Sequence, residues 1–245
     1  MSNASSPRIA LVTGANKGIG FEIARRLGQA GMIVLLGARD HKLGEIAATA
    51  LRDEKLDVRY IHLDLLDDGT IERAATLIDS DFHRLDVLVN NAGILDPTDG
   101  LPSVAELAAV RRVMETNFTA TFAVTRAMLP LIRKALAGRI VNVSSGLGSI
   151  SLSGDSGWIY APFKFLGYAA SKAALNMMTV HLAYELRDTA IKVNSADPGY
   201  TATDMNQHQG NQTVEQGAAE AVRLALLPAD GPTGGFFDSD GPHPW

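Results

Sequence analysis

The chain has 245 residues, carries 22 Lys and Arg against 27 Asp and Glu, and contains no cysteine. That length fits one large α/β domain or two small ones, and 46% apolar with 20% charged residues allows a well-filled core. A net charge of −5 argues against nucleic acid or an anionic membrane as partner, and the lack of cysteine excludes disulfides, thiolate metal sites and cysteine nucleophiles. Residues 1–7 are small and polar and read as a flexible N-terminus without the apolar stretch of a signal peptide. Apolar runs such as Met32–Leu36 are strand-sized and too short to span a bilayer. The expectation is a cytoplasmic protein.

Strand-like runs fall at Ile9–Val12, Ile33–Leu36, Val58–Leu63, Val87–Val89, Ile140–Val143, Ile191–Val193 and, more weakly, Gly235–Phe237. Helix-like segments between them include Gly18–Ala30, Leu65–Ile78, Glu115–Leu136 and Tyr168–Arg187. Continuous apolar strands alternating with helices indicate a parallel sheet covered on both faces. The class is α/β, a doubly wound Rossmann-type sheet of about seven strands. No composition shift marks a boundary, so residues 1–245 read as one domain. Pro130 should kink the helix that contains it. Two stretches break the rhythm: Gly146–Gly157, rich in Ser and Gly and followed by Trp158, Tyr160, Phe163 and Phe165, and the polar Asn206–Gln212. His62, His83, His181 and His208 show no paired ligand spacing, so no metal site is expected.

The first strand runs into Thr13-Gly14-Ala15-Asn16-Lys17-Gly18-Ile19-Gly20 and then a helical segment. Strand, glycine turn and helix N-terminus together offer free N–H groups at the positive end of a helix dipole, which suits a phosphate. The next strand ends Ala38-Arg39-Asp40. An acid at that point would hold a ribose 2′-hydroxyl, whereas Arg39, helped by Lys17, suits a 2′-phosphate. NADP(H) is therefore favoured, and Asp40 leaves NAD(H) open.

Downstream of Ser144-Ser145 stand two Tyr-x-x-x-Lys pairs, Tyr160/Lys164 and Tyr168/Lys172. Residues four apart share a helical face, so an ammonium can lower the pKa of a neighbouring phenol that is otherwise too weak an acid. Pro162 interrupts the first pair, while the second continues through strong helix formers. Tyr168 and Lys172 are the better dyad, and Tyr160 a pocket wall.

In order along the chain, Thr13–Gly20, His62-Leu63-Asp64-Leu65, Asn90-Asn91-Ala92-Gly93, Asn117, Val143-Ser144-Ser145, Tyr168–Lys172 and Pro198-Gly199 resemble the short-chain dehydrogenase/reductase family over nearly the whole chain. The turn bearing Lys17, with Ala38-Arg39, looks most like the NADPH-dependent carbonyl reductase branch. The resemblance implies that Gly14, Asn16, Lys17, Gly18, Ile19, Gly20 and Arg39 bind the phosphate end of the dinucleotide. It puts Asp64 and Leu65 at the adenine and Asn91, Ala92 and Gly93 along the cleft. Pro198, Gly199, Thr201 and Thr203 fall near the nicotinamide and pyrophosphate, with Tyr168 and Lys172 also touching the cofactor.

The family's usual distance from the catalytic Tyr to Pro-Gly matches Tyr168, 30 positions before Pro198, rather than Tyr160, at 38. By the same resemblance Tyr168 is the general acid of carbonyl reduction, and the base in reverse. Lys172 lowers its pKa and holds ribose hydroxyls, Ser145 hydrogen-bonds the carbonyl oxygen, and Asn117 fixes a water linking Lys172 to solvent. Ser144 is the rival of Ser145. The 23 positions from Ser145 to Tyr168 exceed the common family spacing, so 146–166 is an inserted loop. In carbonyl reductases such a loop can obstruct helix packing between subunits; a homo-oligomer is possible, with the insertion favouring a monomer.

The leading expectation is hydride transfer between NADP(H) and a small-molecule carbonyl or alcohol. An NAD-dependent secondary-alcohol dehydrogenase and a non-catalytic dinucleotide sensor remain open. Leu95, Trp158, Tyr160, Tyr200 and the 200–214 loop are the expected substrate walls, and suggest an apolar or aromatic carbonyl compound. The tail Gly241–Trp245 either folds over the pocket or reaches a neighbouring subunit.

Overall fold

The computed structural model describes residues 6–245. Of the stretch read as flexible, residues 1–5 lie outside the described residues. The other two are held: Arg84 donates to Ser6 Oγ at 2.9 Å and to the Pro7 carbonyl at 3.0 Å.

The chain alternates strand and helix as its apolar pattern requires. The first half runs β1 (Ile9–Thr13), α1 (Gly18–Gln29), β2 (Ile33–Ala38), α2 (His41–Asp53), β3 (Val58–His62), α3 (Asp68–Phe82) and β4 (Val87–Asn90). Then come α4 (Leu107–Met114), a π-turn at Glu115–Thr119, α5 (Ala120–Ile132) and β5 (Arg139–Val143). The last third holds a 3₁₀ turn (Gly146–Gly148), α6 (Ile150–Gly154), α7 (Leu166–Glu185), β6 (Lys192–Ala196), a 3₁₀ turn (Asp204–Asn206), α8 (Val214–Ala225), β7 (Phe236–Asp238) and β8 (Gly241–Pro242).

The sheet order is β3-β2-β1-β4-β5-β6-β7-β8, and β1 to β7 are parallel. β8 is an eighth strand, antiparallel to β7 and built from the tail. Central strands β1 and β5 are buried at every residue because helices cover both faces, whereas edge strand β3 is only partly covered, with Val58 and Ile61 buried and Arg59 and His62 exposed. One core layer joins the sheet to α1, α2 and α8 through Ile23, Leu27, Leu51 and Leu224. The other joins it to α3, α5 and α7 through Ile78, Val124, Met128 and Ala183.

The helical run expected at Glu115–Leu136 starts earlier, at Leu107, because Ala109 and Val113 already face the core. It carries a π-turn at Glu115–Thr119, and Pro130 stands inside α5, where its missing amide removes one bond of the ladder. β4 to β5 and β1 to β6 all end at one edge of the sheet, and the order reverses between β1 and β4. Open α/β sheets form their ligand crevice at such a point.

Candidate active site

A cleft of about 1640 Å³ opens there, and every residue named above for the cofactor borders it, as do Ser145, Tyr168 and Lys172. At its phosphate end Gly14 has φ +62°, and a Cβ on it would sit 2.9 Å from Ala92 Cα. Only glycine lets the turn come that close to β4. The turn is fastened by two residues: Asn91 Nδ2 donates to the carbonyls of Thr13 and Gly14, and Thr13 Oγ1 accepts from the amides of Asn91 and Ala92. The side chain of Asn91 is thus spent on shaping the turn. The amides of Gly18, Ile19 and Gly20 find no acceptor among the described residues, and α1 has neither a side-chain cap nor an acid in its first turn. Three free N–H groups at a helix N-terminus fit a pyrophosphate.

At the end of β2, the Asp40 carboxylate accepts from Leu43 N at 2.8 Å and caps α2. Arg39 is exposed, borders the cleft, and has no hydrogen bond or ion pair among the described residues. Lys17 differs from expectation. Its ammonium is bound to Asp204, which also meets His208 Nε2 at 2.9 Å, because the 200–214 loop folds back across the turn. Arg39 is therefore the unengaged cation of the expected pair. Asp64 uses Oδ1 to accept from Leu66 N at 3.0 Å and shapes the turn after β3, beside the buried Leu65.

The catalytic candidates converge deeper in the cleft. Asp99 caps α7: its two carboxylate oxygens accept from Gly167 N at 2.9 Å and Tyr168 N at 2.8 Å. This fixes the start of the helix whose single face carries Tyr168 and, four residues on, Lys172. Ser145 shares the cleft with the Tyr168 phenol and acts on it as a hydrogen-bonding neighbour, while its Oγ accepts from Leu147 N at 3.2 Å. Ser144, the rival, is buried and donates to the Lys172 carbonyl at 3.4 Å. Neighbours on a strand point opposite ways, and this one points into the core.

The Lys172 ammonium donates to the Val143 carbonyl at 2.8 Å and lies 5.7 Å from the centre of the Tyr168 ring. Burial pushes the phenol up to about 12, with the Ser145 hydrogen bond opposing and Asp197 adding to the rise. Burial also brings Lys172 down to about 8, against the pull of Asp197. Burial sets the direction of both shifts, and neither group figures among the causes of the other's.

Asn117 does not border the cleft. It sits in the π-turn, 1% exposed, and its amide clamps Ile94 at both backbone atoms, Nδ2 to the carbonyl at 2.9 Å and Oδ1 from the amide at 2.8 Å. Nδ2 also reaches Ser171 Oγ at 3.1 Å. Its side chain is committed to the floor of the site, behind Gly93.

The rival pair is not a dyad. Lys164 turns away to the Ser153 carbonyl at 2.8 Å, and Tyr160 joins a cluster with Trp158, Phe163 and Tyr200, ring centres 5.5 to 6.1 Å apart. Leu95 and residues 206–209 of the polar loop also border the cleft, and the loop is closed at its base by Ala202 N to the Gln212 carbonyl and Gln212 N to the Tyr200 carbonyl. Thr201 is buried and donates to the Pro198 carbonyl at 2.8 Å, and Gly199 adopts φ +66°. The inserted segment 146–166 holds a 3₁₀ turn and α6 rather than unstructured loop. The tail folds back on its own sheet, with Trp245 stacked on Phe236, and does not border the cleft.

Sequence reading missed Asp99 and Asp197. Asp99 acts 69 positions away from its amide partner and leaves no local signal. Asp197, beside Pro198, does have one, a charged residue at the buried end of a strand. Among the described residues no three His, Asp or Glu side chains gather as metal ligands, and no helix is long and apolar enough to cross a membrane.

The family model described as short chain dehydrogenase matches residues 8–214. A (+)-neomenthol dehydrogenase of Capsicum annuum is 31% identical, over 95% of this chain and 96% of that one. The NADPH carbonyl reductase 3 of Mus musculus is 35% identical, over 92% and 93%. A solved structure of an NADPH-bound carbonyl reductase from chicken fatty liver superposes with a TM-score of 0.84 at 27% identity, over 98% and 94%. Likeness of this extent, on a sheet whose phosphate turn and Ser–Tyr–Lys cluster share one crevice, leaves a single conclusion: the chain belongs to the short-chain dehydrogenase family of oxidoreductases.

Proposed function

We infer that the protein is an NADP(H)-dependent reductase of carbonyl compounds. The observation that carries the reading is the meeting of the Ser145 hydroxyl, the Tyr168 phenol and the Lys172 ammonium in one cleft with a glycine turn that leaves three amides free. When bound, the nicotinamide supplies the hydride to the carbonyl carbon. The free amides of 18–20 would take the pyrophosphate, and Arg39 a 2′-phosphate. Asp40 caps α2 through Oδ1, which turns the acid at the end of β2 toward the helix rather than the cleft lined by Arg39. Two of the three relatives above carry NADPH in their names, in line with this choice.

Tyr168 donates its proton to the carbonyl oxygen, and Ser145 gives that oxygen a second hydrogen bond as charge builds on it. A phenol raised to about 12 carries its proton at neutral pH, as a donor to the carbonyl oxygen must. Lys172, still largely protonated at neutral pH, places a positive charge beside the donor and is positioned to hold ribose hydroxyls. Asn117 fixes Ile94 and Ser171, and so holds the floor of the site beneath Tyr168 and Lys172. Trp158, Tyr160, Phe163 and Tyr200 form one wall, suited to a carbonyl on an apolar or aromatic frame.

The test is NADPH oxidation against a panel of ketones and quinones, with Tyr168→Phe alongside. Tyr168→Phe should lower kcat by about 10²-fold or more, the usual scale of a lost proton donor, while NADPH still binds. Near-normal turnover in that variant would remove the proposed acid.

A further inference from the structure

The tail brings an imidazole into the charge cluster of the active site. His243 stands between two carboxylates, with Nδ1 3.1 Å from Asp238 Oδ2 and Nε2 3.4 Å from Asp197 Oδ2. The ring is 16% exposed and is held edge-on by Phe236, 5.0 Å between centres. Its backbone is fixed too, through His243 N to the Phe236 carbonyl at 2.7 Å. Nε2 is buried without a hydrogen-bond partner among the described residues. The ring therefore sits between two carboxylates, its Nε2 edge turned to Asp197 and its Nδ1 edge to Asp238.

Asp197 is where the tail meets the chemistry. It borders the cleft at 9% exposure, and its Oδ1 accepts from Gly199 N at 3.0 Å. Its Oδ2 lies close to Gly146, the residue after Ser145, where a Cβ would fall 2.8 Å from it. One side chain thus touches both the segment carrying Ser145 and the Pro198-Gly199 turn. Lys172, Asp197, His243 and Asp238 follow one another from α7 to the tail.

We propose that His243 is a positioning residue for carbonyl reduction: its ring, seated between Asp238 and Asp197, holds the Asp197 carboxylate at the Gly199 turn, and Asp197 in turn supports the Lys172 ammonium. The titratable groups facing Asp197 are Tyr168 and Lys172 from α7, Asp238 from β7 and His243 from the tail. The segment after Ser145 brings Gly146 and the Trp158 ring beside it and no titratable group. Burial pushes the Asp197 carboxyl up, and the Gly199 amide, His243 and the Gly146 amide oppose that rise. Without His243, Asp197 faces Asp238 with no cation on its outer side. Its protonation then moves toward neutrality, and activity is lost as pH falls through that higher value.

The proposal rests on the reading of Tyr168 and Lys172 as the reducing pair, so its test has one arm that needs no turnover. Carboxyl-carbon NMR of aspartate-labelled protein, assigned with Asp197→Asn, should show the Asp197 midpoint rising by about one to three pH units in His243→Gln, the usual effect of losing an adjacent opposite charge. In the second arm kcat/KM is followed against pH with NADPH and menadione. His243→Gln should move the acid limb up by the same amount. Asp197→Asn should lack that limb, and the double variant should behave as Asp197→Asn alone. Gln retains a donor of similar reach, and a melting curve confirms that the variant is folded.

An unchanged Asp197 midpoint, or a loss in His243→Gln that is equal at every pH and additive with Asp197→Asn, overturns the proposal. If the wild type reduces neither menadione nor the ketone and quinone panel, the reductase reading fails, and the NMR arm still decides the link between His243 and Asp197.

Discussion

Lys172→Met should make the protein's stability less dependent on pH in a way that can be calculated. The Lys172 pKa falls from 10.5 in the unfolded reference to about 8 in the fold, through burial. That difference corresponds to about 3 kcal/mol acting against the ammonium. Because the folded value is the lower one, the unfolded chain binds more protons between the two values, and stability rises with pH across that window. The penalty is present in full below about 8 and is relieved as the pH approaches 10.5.

Between pH 7 and about 9.5 the wild type should gain about 2 kcal/mol relative to Lys172→Met, the larger part of the total. Methionine also leaves the Val143 carbonyl without its donor, at a cost of about 1–3 kcal/mol, but that loss is independent of pH and cancels from the comparison of slopes. Tyr168, raised to about 12, acts with the opposite sign, since its stabilising contribution to the folded state is lost only as pH rises above its unfolded value of 10.0. Stopping near pH 9.5 therefore keeps it largely out of the measurement. Urea unfolding of both proteins at several pH values gives the comparison directly. Parallel stability curves would mean that the Lys172 ammonium is hydrated in solution, and the account of the dyad given above would be wrong.

Three further outcomes follow from the phosphate end of the cleft. Arg39→Asp should weaken NADPH by about tenfold or more and leave NADH little changed, the scale of one net charge contact; fluorescence titration with both dinucleotides decides it, and a wild type that already prefers NADH would refute the reading. Asp40→Ala should lose about 0.5–2 kcal/mol of stability, as for a removed helix cap, without altering the preference between dinucleotides; a swing in that preference would show Asp40 facing the ribose after all. Gly14→Ala forces a side chain onto φ +62° and against Ala92, so dinucleotide binding should be lost in calorimetry, and retained affinity would show that the turn can yield.

The strand–helix alternation, the parallel sheet and its single-domain span could be read from the chain because they depend on local periodicity, and strands such as β1 and β5 are apolar at nearly every position that two covering layers demand. The glycine turn was legible for a similar reason: Gly14 must adopt a conformation few other residues tolerate. So was the helix that carries Tyr168 and Lys172, since Pro162 interrupts the other pair and nothing interrupts this one. Distance in space was not legible. Asp99 caps α7 from 69 positions away, Lys17 is engaged by Asp204 across 187 positions, and His243 reaches Asp197 only because β8 folds the tail back along β7. The protonation of the dyad belongs to the same class. Residue spacing places an amine beside a phenol, but how far each loses contact with water is settled by packing, and here burial is the largest cause of both shifts.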